Sequence, residues 1–60
     1  MNTRPAHFTT RAFIDTPSQS LDVYHAPDAD TDGTFQAWCN DEQEMITING
    51  WQVFIWHEND

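Results

Sequence analysis

Two alternating runs in the C-terminal half constrain the fold more than any other feature of the chain. Thr34 to Cys39 (TFQAWC) and Glu44 to Ile55 (EMITINGWQVFI) carry apolar side chains at every second position, the period of a half-buried strand. Asn40 to Gln43 (NDEQ) lie between them as a polar four-residue loop of the kind that joins hairpin strands. Asn49-Gly50 then predicts a second hairpin, because a type I′ turn needs positive φ at both central residues.

These turns set a register. Cys39 opposite Glu44 puts Ala37 across from Ile46, Phe35 from Ile48, Trp38 from Met45 and Gln36 from Thr47. A two-residue turn at Asn49-Gly50 further places Trp51 opposite Ile48, Val53 opposite Ile46 and Ile55 opposite Glu44, with Phe54 beside Met45 and Gln52 beside Thr47. One face therefore collects Phe35, Ala37, Cys39, Ile46, Ile48, Trp51, Val53 and Ile55 as a core. The other gathers Trp38, Met45, Phe54 and Trp56 at one end.

In the N-terminal half, residues 7–14 (HFTTRAFI) alternate with Phe8, Thr10, Ala12 and Ile14 on one side and read as a strand. Residues 17–25 carry two messages. Thr16, Pro17 and Gln19 spell a capping box with proline at the first helical position, which allows a short helix and an α+β fold. Leu21, Val23 and His25 alternate with Asp22 and Tyr24, which favours a strand entered through a TPSQ hairpin loop. The expected fold is all-β: a single domain over residues 1–60, an antiparallel meander of about five strands, either an open sheet or a small barrel.

At 60 residues only about 60% of the unfolded chain's surface can be buried, which leaves no room for a deep cleft. Cys39 is the sole cysteine, so no intrachain disulfide is available, and a lone thiol suits a reducing, cytoplasmic setting. No apolar run approaches the length of a membrane span or a secretory leader, so a soluble protein that does not engage a membrane is expected. Ten acids stand against two bases, Arg4 and Arg11, and the formal net charge is -8. Such a chain repels nucleic acid and associates fastest with a basic surface. Four Phe, three Trp and one Tyr argue against disorder.

The segment Asp28 to Gly33 (DADTDG) resembles the first half of an EF-hand calcium loop, with Asp28, Asp30 and Asp32 at the ligand positions and Gly33 at the turn. The bidentate acid that closes such a loop is missing, since Cys39 occupies its place. Calcium on these three residues would be held only in the millimolar range, so no cofactor is expected. In an extended segment, alternate Asp residues lie about 6.6 Å apart, roughly twice the axial rise per phosphate of one DNA strand, and could present phosphate-like charge to a basic groove. His7, His25, Cys39 and His57 have the chemistry for zinc, but none sits at a ligand-pair spacing. Nothing in the sequence assembles a general acid and base, a nucleophile or a phosphate loop, so no enzymatic activity is expected.

The partner-binding residues expected from sequence are the acids Asp28, Asp30, Asp32, Asp41, Glu42 and Glu44 with the aromatic and Met group Trp38, Met45, Phe54 and Trp56. Acids guide the encounter and aromatics hold it. In size, charge and lack of catalytic apparatus the chain resembles the compact acidic inhibitors of phages and mobile elements, such as anti-CRISPR and antirestriction proteins, though no motif in it belongs to such a family. The analogy implies a non-enzymatic protein that occludes a basic, nucleic-acid-binding surface of a partner. The alternative is an acid-rich structural module whose DADTDG loop takes calcium weakly, or a self-associating β module, homodimeric through its second face or its sheet edges.

Overall fold

A computed structural model of the chain describes residues 3–57, and these form one five-stranded antiparallel sheet. The strands are β1 (Thr10–Asp15), β2 (Ser20–His25), β3 (Thr34–Cys39), β4 (Glu44–Asn49) and β5 (Phe54–His57), and a 3-10 turn, Gly50–Gln52, precedes β5. Their order is β4-β3-β2-β1-β5. The expected all-β class is thus the observed one, as an open sheet edged by β4 and β5. No helix among the described residues is long and apolar enough to cross a membrane.

Residues 17–25 resolve in favour of the strand, and the capping signal is nonetheless real. Thr16 Oγ1 accepts the backbone N–H of Gln19 at 3.0 Å, the bond a helix cap would make, while the Thr16 N–H reaches Gln19 O at 2.8 Å and closes a hairpin loop. No helix follows, because Leu21, Val23 and His25 alternate onto the face where Ile14, Ala12 and Thr10 stand opposite them. Ala12, Ile14 and Val23 are completely buried.

The β3–β4 hairpin has the register expected from its loop: Cys39 opposite Glu44, Trp38 opposite Met45, Ala37 opposite Ile46 and Phe35 opposite Ile48. Gln43 closes that loop in the left-handed region (φ 54), where its N–H bonds Cys39 O at 2.7 Å. β2 meets β3 at Val23–Cys39 and Tyr24–Trp38, and the Asn40 N–H carries the ladder on to Asp22 O at 2.9 Å, while the other end of β3, with β4, runs past the end of β2. Ile46 of β4 and Ile55 of β5 nevertheless pack on the same core of Ala12, Ile14, Val23, Phe35, Ala37 and Ile48. The sheet is therefore curled over one face even though its two edge strands do not pair.

The Asn49-Gly50 hairpin is the expectation the structure overturns. β5 does not fold back on β4; it pairs with β1, placing Ile55 opposite Ile14, Phe54 opposite Asp15, Trp56 opposite Phe13 and His57 opposite Ala12. Asn49 is extended (φ -100, ψ 94), and no described glycine has positive φ. Instead the Gly50 N–H donates to Gly33 O at 2.9 Å, continuing the β3–β4 ladder by one rung, and the chain then turns away through Gly50–Gln52. A Cβ on Gly50 would lie 1.8 Å from Thr31 O and 2.7 Å from Thr31 C. Glycine is required here for close approach of two backbones, not for a left-handed turn.

Two consequences follow for the core. Trp51, expected inside, is 69% exposed on the turn, while Val53 and Ile55 still reach the core from the far side of the sheet. Pairing with β1 covers the edge beside fully buried Ile14 with Ile55, whereas the hairpin would have set Ile55 beside exposed Glu44.

The two explanations of Gly50 separate by substitution. Gly50→Asn would suit a left-handed turn but clashes with Thr31 as Ala does, so both Gly50→Ala and Gly50→Asn are expected to lower stability by about 2 kcal/mol or more, read as urea midpoints. Gln43→Gly, at the true left-handed position, is expected to be neutral or stabilising by up to about 1 kcal/mol.

Candidate protein-binding surface

Strand parity puts the sequence-predicted aromatic and Met residues on one face of the sheet. Odd-numbered residues of β1, β3's Gln36 and Trp38, β2's Asp22 and Tyr24, β4's Met45 and β5's Phe54 and Trp56 share the face away from the core. Because β5 lies beside β1, the expected cluster of Trp38, Met45, Phe54 and Trp56 is spread across this outer face. Trp38 and Met45 stand together near the β4 edge, and Phe54 and Trp56 at the β5 edge. Trp38 is only 6% exposed, so its indole offers little to a partner. Met45 remains exposed.

The β5 end is open and ordered. Phe54 and Trp56 are 73% and 60% exposed, and Phe13, opposite Trp56 on β1, is exposed beside them. The Trp56 indole N–H donates to Asp15 Oδ2 at 2.9 Å, and the other oxygen of that carboxylate accepts the Ser20 hydroxyl at 2.7 Å. The bond from Ser20, then that from Trp56, holds the Asp15 carboxyl below its ordinary value. A large aromatic ring is thus fixed in orientation while its faces stay in water, which lowers the ordering cost of using it as an anchor. Phe13 and Asp15 are the contributors that sequence reading missed, since they were visible only once β5 was placed against β1.

Between these ends lie both of the chain's basic side chains. Arg11 binds Asp22 through two bonds, Nε to Oδ1 at 3.0 Å and Nη2 to Oδ2 at 2.6 Å, and its guanidinium also lies 5.2 Å from the Phe13 ring centre. Asn40 adds a bond from Nδ2 to Asp22 Oδ1 at 3.2 Å. Arg4 stacks on Tyr24 at 4.0 Å. Both cations are therefore engaged on the outer face.

The acids expected to guide a partner are all exposed: Asp28, Asp30 and Asp32 in the loop before β3, Asp41 and Glu42 in the loop after it, and Glu44 at the start of β4. They form two groups at opposite ends of β3, about 17 Å apart at the rise of an extended strand. Within the first group the extended, phosphate-like spacing is not what forms. The Ala29 N–H bonds Ala26 O, the Gly33 N–H bonds Asp30 O, and the Asp32 N–H bonds Asp30 Oδ1 at 3.2 Å, so the loop is two successive turns. Among the described residues no group of three His, Cys, Asp or Glu side chains converges as a metal site, so the half EF-hand does not assemble one from Asp28, Asp30 and Asp32.

Spacing in the sequence also missed one pair. His25 Nε2 and His57 Nε2 lie 3.0 Å apart, although 32 residues separate them. They project from β2 and β5, the two neighbours of β1, onto the core face.

Comparison with family models, curated proteins and solved structures found no match to this chain.

The Arg11–Asp22 pair gives the sheet an acid dependence of known sign. The bond from Arg11 chiefly, opposed by partial burial and helped by Asn40, holds the Asp22 carboxyl below its ordinary value of 3.8. A carboxyl depressed in the folded state contributes stability above the unfolded value and loses it as pH falls through the folded one. The urea midpoint is expected to drop below about pH 4, and to drop less steeply in Asp22→Asn than in the parent chain.

Proposed function

We propose that the chain is a small, non-enzymatic acidic binding protein that occludes a basic, nucleic-acid-binding surface of a partner protein, by analogy with DNA-mimicking inhibitors of the anti-CRISPR and antirestriction type. The observation that carries this reading is that all six guiding acids are exposed while both arginines are engaged on the outer face. An uncompensated surface of this kind attracts a basic protein and repels nucleic acid itself.

The arrangement supports a division of labour. The two acidic groups are separated by about 17 Å, more than the Debye length of about 8 Å at physiological salt, so each acts as its own foothold instead of one continuous field. Phe13, Phe54 and Trp56 supply the apolar contact, and Trp56 is held by Asp15 before any partner arrives. Self-association through the β4 or β5 edge is the competing reading, and the net charge of -8 opposes it at low salt.

Displacement of duplex DNA from a panel of basic nucleases and repressors tests the proposal. Affinity is expected to fall steeply between low and physiological salt. Reversing Asp28, Asp30 and Asp32 to Lys should slow association about tenfold, and Trp56→Ala should speed dissociation with little change in association rate. Binding insensitive to salt, or no displacement by the parent chain from any member of the panel, overturns it.

A further inference from the structure

We propose that His25 and His57 form a two-imidazole site for a divalent transition-metal ion of the zinc type. Nothing in the binding proposal requires it, and the residues involved lie on the opposite face of the sheet from Phe13 and Trp56.

The separation of the two nitrogens is close to that of a chelating pair. An ion bound tetrahedrally at about 2.0 to 2.1 Å from each imidazole nitrogen sets those nitrogens about 3.3 Å apart. Here Nε2 of His25 and Nε2 of His57 are 3.0 Å apart, with the rings nearly perpendicular at 81°. Opening by a few tenths of an ångström falls to His57, which is exposed at the end of β5.

His25 is the fixed member. It is 2% exposed, with the Phe35 ring against it at 5.4 Å, and its Nδ1 lies 2.7 Å from Ala26 O. That carbonyl is itself held by the Ala29 N–H in the turn that follows β2. A carbonyl can only accept, so Nδ1 carries the proton and the Nε2 lone pair points toward His57. Metal-binding histidines use this same support, in which a bond from the second ring nitrogen fixes tautomer and ring orientation. Without metal, His57 must donate through Nε2. Binding an ion would move that proton to its Nδ1 and free the second Nε2 lone pair with no proton gained or lost, and rotation of the exposed His57 ring would turn it onto the ion.

The scaffold fixes the pair from the backbone. His25 stands opposite Thr10 and His57 opposite Ala12, so β1 sets the distance between its two neighbours. Two imidazoles and open positions favour zinc, nickel or copper over magnesium or calcium, which prefer oxygen. A chain of net charge -8 further concentrates cations near it.

Thermal melting of the full chain against zinc chloride, with magnesium chloride as control, tests the site. The melting temperature is expected to rise by about 5 °C or more at a hundredfold excess of zinc over its dissociation constant, and not with magnesium. His57→Gln, a change at an exposed position, should remove the shift, while His7→Gln and the combined Asp28→Asn, Asp30→Asn, Asp32→Asn variant should keep it. Zinc should also move the ring-nitrogen NMR signals of His25 and His57 but not those of His7. A shift that survives in His57→Gln, that disappears in the triple Asn variant, or that zinc fails to produce in the parent chain overturns the assignment.

Discussion

The fold turns on the contact between Gly50 and the loop that leads into β3. The Gly50 N–H bonds Gly33 O, and its missing side chain lets the backbone lie against Thr31 at a distance no other residue permits. That rung prolongs the β3–β4 ladder past Asn49 and holds Asn49 and Gly50 out of the left-handed conformation a type I′ turn would need. The chain must then leave the plane of β4, and the 3-10 turn carries it across to the open edge of β1. Burial of Ile14, support for Trp56 by Asp15 and the meeting of His25 with His57 all depend on β5 arriving there.

Much of the sheet was legible because local signals agreed with global need. The NDEQ loop fixed the β3–β4 register, since alternation on both sides of a four-residue loop admits one pairing that keeps Ala37, Ile46, Phe35 and Ile48 on a single face. Thr16 to Gln19 was ambiguous for a physical reason: the same side-chain bond caps a helix or closes a hairpin, and only the tertiary need to cover Ala12 and Ile14 decides. Asn49-Gly50 misled because glycine serves two purposes. Sequence shows that a side chain is absent but not whether φ or a neighbouring backbone requires it.

The candidate surface was half legible for related reasons. Exposure of the six acids follows from their places in loops and at a strand end, which sequence revealed. Which aromatics stand together did not, because a strand's face can be read from its own alternation while its neighbour in the sheet cannot. Trp38 is covered and Phe13 joins Trp56, both outcomes of strand order. His25 and His57 lay beyond any spacing rule, since their proximity is created by a third strand between them.

The three tryptophans occupy three different environments: Trp38 is enclosed within the sheet's outer layer, Trp51 rides the 3-10 turn in water, and Trp56 is bonded to a carboxylate at the edge. The molecule therefore carries its own optical reporters. Indole emission from Trp38 is tied to the integrity of the β2–β3–β4 half, and that from Trp56 to the junction of β5 with β1. Selective replacement of the other two would turn one chain into separate fluorescent gauges of its two edges, with no dye attached.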